Sequence, residues 1–430
     1  MNNRPKIPRD TGPISEDLGV RRFFRGFKTF ASFRSPMYRL YYYSLVGHWA
    51  PMNMQMVTRS LLIYRLSDSG AVVGYMALSG AIPMLILSLY GGAIADRVNK
   101  KKVLILGQMA SAVISIGVGL AISFNFLSED VPGSWWILIV SSFVQGVVMG
   151  IMMPSRAAFV PELVSQEDLM NAISLTTVGM NLFRIIAPAS TGFIIDAWGF
   201  AVIYYIMGAL YIMASVFMYF VQSTRKIVKQ AQSTVSEIVD GLRYIRGHNI
   251  ILLILIFTLS CTILGMPFNM LLPMFTDDIL DVGASGMGII LAVSGIGAIA
   301  VSITLASISN KKRGVLMIIS GIILSVALIA FSFNTTMSWA LVISPFIGLG
   351  QTGQMAVGMT LIQYYVDPAY RGRTMSIQML GFGMSSLGVV FAGVMSESLG
   401  IEWSIGGLAI LLGMIAIAML TFSPRLRKLD

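Results

Sequence analysis

The chain has 430 residues, 56% hydrophobic and only 12% charged, with a net charge of +10 and a mean hydropathy of +0.78. A soluble domain carries about 25% charged residues, so an ordinary water-soluble protein is excluded and a bilayer protein is indicated. The single cysteine, Cys261, excludes an intrachain disulfide.

The leader, residues 1–40, is basic and contains proline, and no cleavable signal peptide is expected in it. Its stretch GVRRFFRGFKTFASFRS, residues 19–35, mixes Phe and Arg at helical spacing. That pattern predicts either an amphipathic helix lying in the membrane interface or a disordered leader. Twelve apolar runs follow, at about 41–64, 71–95, 103–124, 135–154, 171–195, 199–221, 250–275, 284–308, 315–333, 338–362, 374–396 and 401–422. Each is long enough to cross a hydrocarbon core of about 30 Å as a helix. Strand-like alternation is absent, which argues against a barrel. The one long polar insert, 222–249, separates six runs from six. The expected organisation is therefore a leader at 1–40, a six-helix bundle at 41–221, a cytoplasmic linker at 222–249, a second bundle at 250–422 and a tail at 423–430.

All but three of the 30 Lys and Arg residues fall in segments that share a side with the N-terminus if the runs cross alternately. Positive charge gathers on the cytoplasmic side, so both termini are expected there, in a multi-pass plasma-membrane protein. The same distribution explains the basic balance without a nucleic-acid partner. The two halves also echo each other: NKKKVLIL after the second run answers NKKRGVLMI after the eighth, placing Asn99 opposite Asn310, and MNAISL answers TMSIQML. Short matches at equivalent places in a six-plus-six layout indicate duplicated bundles.

Between the second and third runs the chain reads GGAIADRVNKKKVL, with Asp96, Arg97, Lys100, Lys101 and Lys102 inside seven positions. Gly92, Asp96, Arg97, Lys100 and Lys101 resemble the loop motif of the major facilitator superfamily, roughly G-x-L-A-D-R-x-G-R-K, in the place where that family has it. Ile94 stands for its Leu and Asn99 for its second Gly; Asn tolerates a left-handed backbone better than most residues. The stretch 154–199, PSRAAFVPEL to IIDAWG, looks like the branch that includes enterobactin exporters and macrolide efflux proteins. Within it RIIAPASTG resembles the family's antiporter signature, with Ala187 and Ser190 in place of glycines. The resemblance implies an all-α membrane protein of twelve transmembrane helices in two pseudo-symmetric six-helix bundles. It also implies transport by alternating access, with substrate bound near the midplane between the halves. Asp96, braced by Arg97, is then expected to meet the positive end of the eleventh helix near RGRTMS and latch the bundles on the cytoplasmic side. A plain topology signal is the alternative reading of the same charges.

Arg184 lies near the middle of the fifth run, where an arginine costs roughly 2.5–3.5 kcal/mol on insertion scales. It is expected either to line the cavity and contact substrate, sharing its site with Asn181 one turn away, or to brace neighbouring helices. Asn53, Gln55, Gln145, Asn269, Gln351 and Gln354 are the other mid-depth polar candidates, as cleft lining or as helix–helix hydrogen bonds. Every Asp and Glu maps to a loop or a span end, so no carboxylate proton carrier stands out. His48 is the only near-neutral titrating group inside a run and the candidate for proton coupling, against a structural histidine. Zinc spacing, a catalytic triad and a nucleotide fingerprint are all absent, so neither enzyme chemistry, a metal nor a cofactor is expected. The expected function is efflux of a small amphipathic organic compound, siderophore- or drug-like, by a monomer that uses protons as coupling ion. Uptake of an organic anion and a non-transporting transceptor are the rivals.

Overall fold

The computed structural model describes residues 32–97, 99–157, 159–222, 234–308, 312–367, 370–427 and 429, with side chains at 89–97, 234–239, 371–373 and a few further positions outside the description. The expectation for 19–35 therefore falls almost wholly outside the described residues; 32–34 form a short 3-10 turn. Ser35 then caps the first helix, α1 (Pro36–Ser67), its side chain accepting from Tyr38 N, and Pro36 occupies the first turn, where its missing N–H costs nothing. α2 spans Gly70–Arg97, α3 Lys100–Ser123 and α4 Trp136–Ala157. Asn99 caps α3 by accepting from Lys102 N, so the residue that replaces the motif's glycine starts a helix.

The run Leu169–Phe220 is helical throughout except at Gly199, whose φ of 80° and ψ of 177° suit a residue without Cβ. The part before the break is α5 and the part after it α6. Thr234–Gly247 forms α7 in the linker. The seventh crossing is α8 (Asn249–Gly265) and α9 (Pro267–Met274), ending in a π-helical turn, Phe275–Ile279. Pro267 explains the interruption, because proline cannot donate the hydrogen bond that would join the two segments. α10 (Gly283–Ser307), α11 (Arg313–Ser332), α12 (Met337–Tyr365), α13 (Arg371–Leu399) and α14 (Ile401–Phe422) complete the array. α13 turns into α14 at Gly400, φ 80° and ψ 159°, the same device as Gly199 at the equivalent place in the other half.

Among the described residues nine helices are long and apolar enough to cross a membrane. One of these holds both α5 and α6, and with α1 and α13 the order is consistent with the twelve expected crossings. α1 packs on the α5–α6 pair, α2 on α4 and α3 on α6, while α10 packs on α12, α11 on α12 and α14, and α13 on α8. Close glycine contacts recur in both halves. A Cβ at Gly146 of α4 would run into the Gly80 carbonyl of α2, and a Cβ at Gly348 of α12 into the Ser294 carbonyl of α10. Small residues let backbones approach in this way where lipid offers no hydrophobic drive to associate.

Candidate functional site

The two bundles meet along two helix pairs, α2 with α13 and α5 with α10. For orientation, the side on which α1 begins and α14 ends is the terminal face, and the other is the Arg65 face. A set of hydrogen bonds and an ion pair joins the bundles at the Arg65 face, at the ends of helices. Arg65 Nε and Nη2 donate to Asp277 at 2.8 and 3.2 Å, a two-pronged pair. Tyr64 OH donates to Asp278. Ser285 N, in the first turn of α10, donates to Asp196 at the end of α5, 2.8 Å away. Ser69 Oγ and Ala71 N, at the start of α2, donate to Glu397 of α13. The π-helical turn aims two consecutive carboxylates, Asp277 and Asp278, at α1. In sequence both are span-end acids, and nothing there points to their partners, which lie more than 200 residues away.

Glycines close the same face. A Cβ at Gly74 would meet the Val390 backbone, one at Gly192 the Ala284 carbonyl, and one at Gly288 the Pro188 carbonyl. Backbone cannot step aside as a flexible side chain can, so Gly288→Leu should hold α5 and α10 apart. A cysteine placed near Asp196 should then become reactive to a membrane-impermeant thiol reagent in correctly folded protein; unchanged protection would contradict this packing.

Arg184 is exposed on α5 and has no hydrogen-bond or ion-pair partner among the described residues. Ser174 and Thr177 are exposed and Asn181 half-buried. At steps of three and four these four residues share one helix stripe. Another face of α5 carries exposed Val178, Leu182, Ile186 and Phe193, the composition of a lipid-facing surface. The glycine contacts of α5 with α10 fall between Ile185 and Gly192. Arg184 thus sits at the terminal-face edge of the inter-bundle seam, with the polar stripe running on from it.

The remaining candidates are placed as follows. Asn53 donates to Trp49 O in its own helix at 2.8 Å. Gln55, Gln351 and Gln354 are buried, and Gln55 Nε2 and Gln354 Oε1 have no partner; Asn269 is half-buried on α9. Gln145 turns inside the N-terminal bundle and donates to Ser111 Oγ at 3.1 Å. His48 is 3% exposed inside the same bundle, its ring 5.9 Å from that of Tyr211. Gly92 lies within α2, and the side chains of Asp96 and Arg97 lie outside the description. Lys100 forms a 2.8 Å ion pair with Glu162, and Lys101 donates to Tyr219 O at 2.6 Å, so both motif lysines bind within their own bundle. Sequence reading missed Arg156. It assigned that residue to the loop after the fourth run, whereas α4 continues to Ala157 and brings Arg156 beside Tyr41, His48 and Tyr211.

The model of the Major Facilitator Superfamily matches residues 44–386. This chain belongs to the major facilitator superfamily. It is a multi-pass membrane transporter, not an enzyme. The chain is 22% identical over 321 residues to the Staphyloferrin A transporter of Staphylococcus aureus, covering 74% of this chain and 79% of that one. It is 21% identical over 421 residues to Macrolide efflux protein A of Streptococcus pyogenes, covering 91% and 98%, from the branch that the 154–199 stretch resembles. Its fold matches the crystal structure of a bacterial homolog to the human lysosomal transporter Spinster with a TM-score of 0.72 and 14% identity, over 94% of this chain and 98% of that one.

Proposed function

We propose that this transporter is a secondary exporter of small amphipathic organic compounds bearing an anionic or electron-rich group, working by alternating access. The observation that carries the reading is Arg184: a guanidinium at mid-span, exposed and without a hydrogen-bond or ion-pair partner among the described residues, beside the seam between the bundles, at the head of a polar stripe. An unpaired charge at that depth is costly unless water or a ligand serves it. The exporter direction draws on the macrolide efflux relative; the positive, carboxylate-free span interiors favour an anionic feature on the cargo. In the same proposal the terminal face is cytoplasmic, as the Lys and Arg distribution suggests, the Arg65 face is outer, and the bundle limits are 41–221 and 250–422. With the outer links made, the cavity opens to the cytoplasm and loads cargo there. Asp96 with Arg97 acts as the latch that holds the cytoplasmic side in the alternate state. One chain suffices for the cycle, and protons are the coupling ion.

Accumulation of labelled compounds in cells with and without expression tests the direction. An exporter lowers cell content by several-fold and loses that effect when a protonophore collapses the gradient. Raised content would instead establish uptake of an organic anion. Binding without movement in proteoliposomes would establish a transceptor.

A further inference from the structure

The interior of the N-terminal bundle holds a polar tract separate from the seam between the bundles. Tyr41, Ser44, His48, Gln55 and Arg59 share one stripe of α1, and all are buried. Arg59 is 8% exposed, and its Nε and Nη2 have no hydrogen-bond partner. Beside it on α6 lie Tyr204 and Tyr211, each 0% exposed; the Tyr204 hydroxyl adjoins the guanidinium without a hydrogen bond of good geometry, and the Tyr211 hydroxyl has no partner among the described residues. Ser115 on α3 has an Oγ without a partner among the described residues and lies one turn from Gly119, which the Tyr205 ring and the Cβ of Tyr204 approach. Tyr211 also neighbours Arg156, so a second guanidinium adds positive potential to the same interior. α1, α3, α4 and α6 contain no Asp or Glu. The cluster therefore gathers groups that can all donate, around a charge that no side chain neutralises. A buried unpaired ion costs several kcal/mol, and water would satisfy the donors while leaving the charge.

We propose that Arg59, Tyr204 and Tyr211, with Ser115 at the edge, form a binding site for a small monovalent anion of chloride type inside the N-terminal bundle. Seated there, the anion neutralises Arg59 and ties α1 to α6. Because α1 also carries Tyr64 and Arg65 of the inter-bundle links, occupancy stiffens the helix from which that face is held. The site lies apart from Arg184, so it stands or falls independently of the export reading.

The test uses the purified full chain in detergent, with sodium chloride compared against sodium gluconate at equal ionic strength. Chloride at about 150 mM should raise the melting temperature by about 2–4 °C, and equilibrium dialysis with radioactive chloride should retain one ion per chain. Arg59→Gln should abolish both effects. Tyr204→Phe keeps the packing and the charge and should weaken chloride binding by about tenfold, which keeps the test available if Arg59→Gln does not fold. Equal melting temperatures in the two salts with no retained chloride would overturn the site and assign the tract to water. A chloride effect of unchanged size in both variants would also overturn it, by placing the ion elsewhere.

Discussion

Reversing the charge at Arg65 is expected to open the Arg65 face. Arg65→Asp sets an acid against Asp277 and Asp278, and double-labelled protein should show longer inter-bundle distances at that face, with a cysteine near Ser285 becoming reactive to a water-soluble thiol reagent. The Arg65 and Asp277 side chains retain 31% and 19% exposure, so the pair is neither a weak surface contact nor a fully buried one. Its loss should cost about 1–2 kcal/mol, between those two regimes, shifting the balance between protein closed and protein open at the Arg65 face by roughly tenfold. The double variant Arg65→Asp with Asp277→Arg restores the pairing and should return most of the closed population. A double variant as open as the single one would mean that the pair does not hold the bundles together.

Arg184 carries the second large effect. If it binds an anionic or electron-rich group on the cargo, Arg184→Lys keeps a charge but loses the planar fork, and Arg184→Gln loses both. Transport should fall in the order Arg, Lys, Gln, and affinity measured by titration on monodisperse protein should drop by about 10- to 100-fold in Arg184→Gln, the range of a hydrogen bond to a charged group. Melting temperature should stay near wild type, because Arg184 has no hydrogen-bond or ion-pair partner among the described residues to lose. Wild-type affinity in Arg184→Gln would end the ligand-contact reading, and a joint loss of stability and activity would return the residue to a helix brace.

Much of the fold was legible because a membrane imposes one length on every span and one sign on each side. The all-helical array, in an order consistent with twelve crossings, follows from the apolar runs; these place the gap between the fifth and sixth at 196–198, and the structure puts the break at Gly199. Legibility failed where side chains choose among neighbours. Hydropathy ends the fourth run at Pro154, so Arg156 read as a loop cation, although helix continued past the proline. A usable signal was present for the polar tract: Tyr41, Ser44, His48, Gln55 and Arg59 recur at helical steps along α1, marking one polar face turned away from lipid. The links at the Arg65 face had none, since Arg65 with Asp277 and Ser69 with Glu397 join residues whose proximity arises only when the two halves close. Arg184 was identifiable from depth alone; its exposure and the stripe below it required coordinates.

The two glycine turns bear on how this chain is made. α5 passes into α6 at Gly199 and α13 into α14 at Gly400, with almost no residues left over between helices. A loop of ordinary length can be carried across the bilayer after its first helix has settled there, but these connections offer no such loop. Each pair should leave the translocation machinery and enter lipid together, as a preassembled hairpin. Lengthening either glycine turn with a hydrophilic insert should therefore show as a defect in biogenesis, read as early proteolysis of the nascent chain, before any loss of transport could be measured.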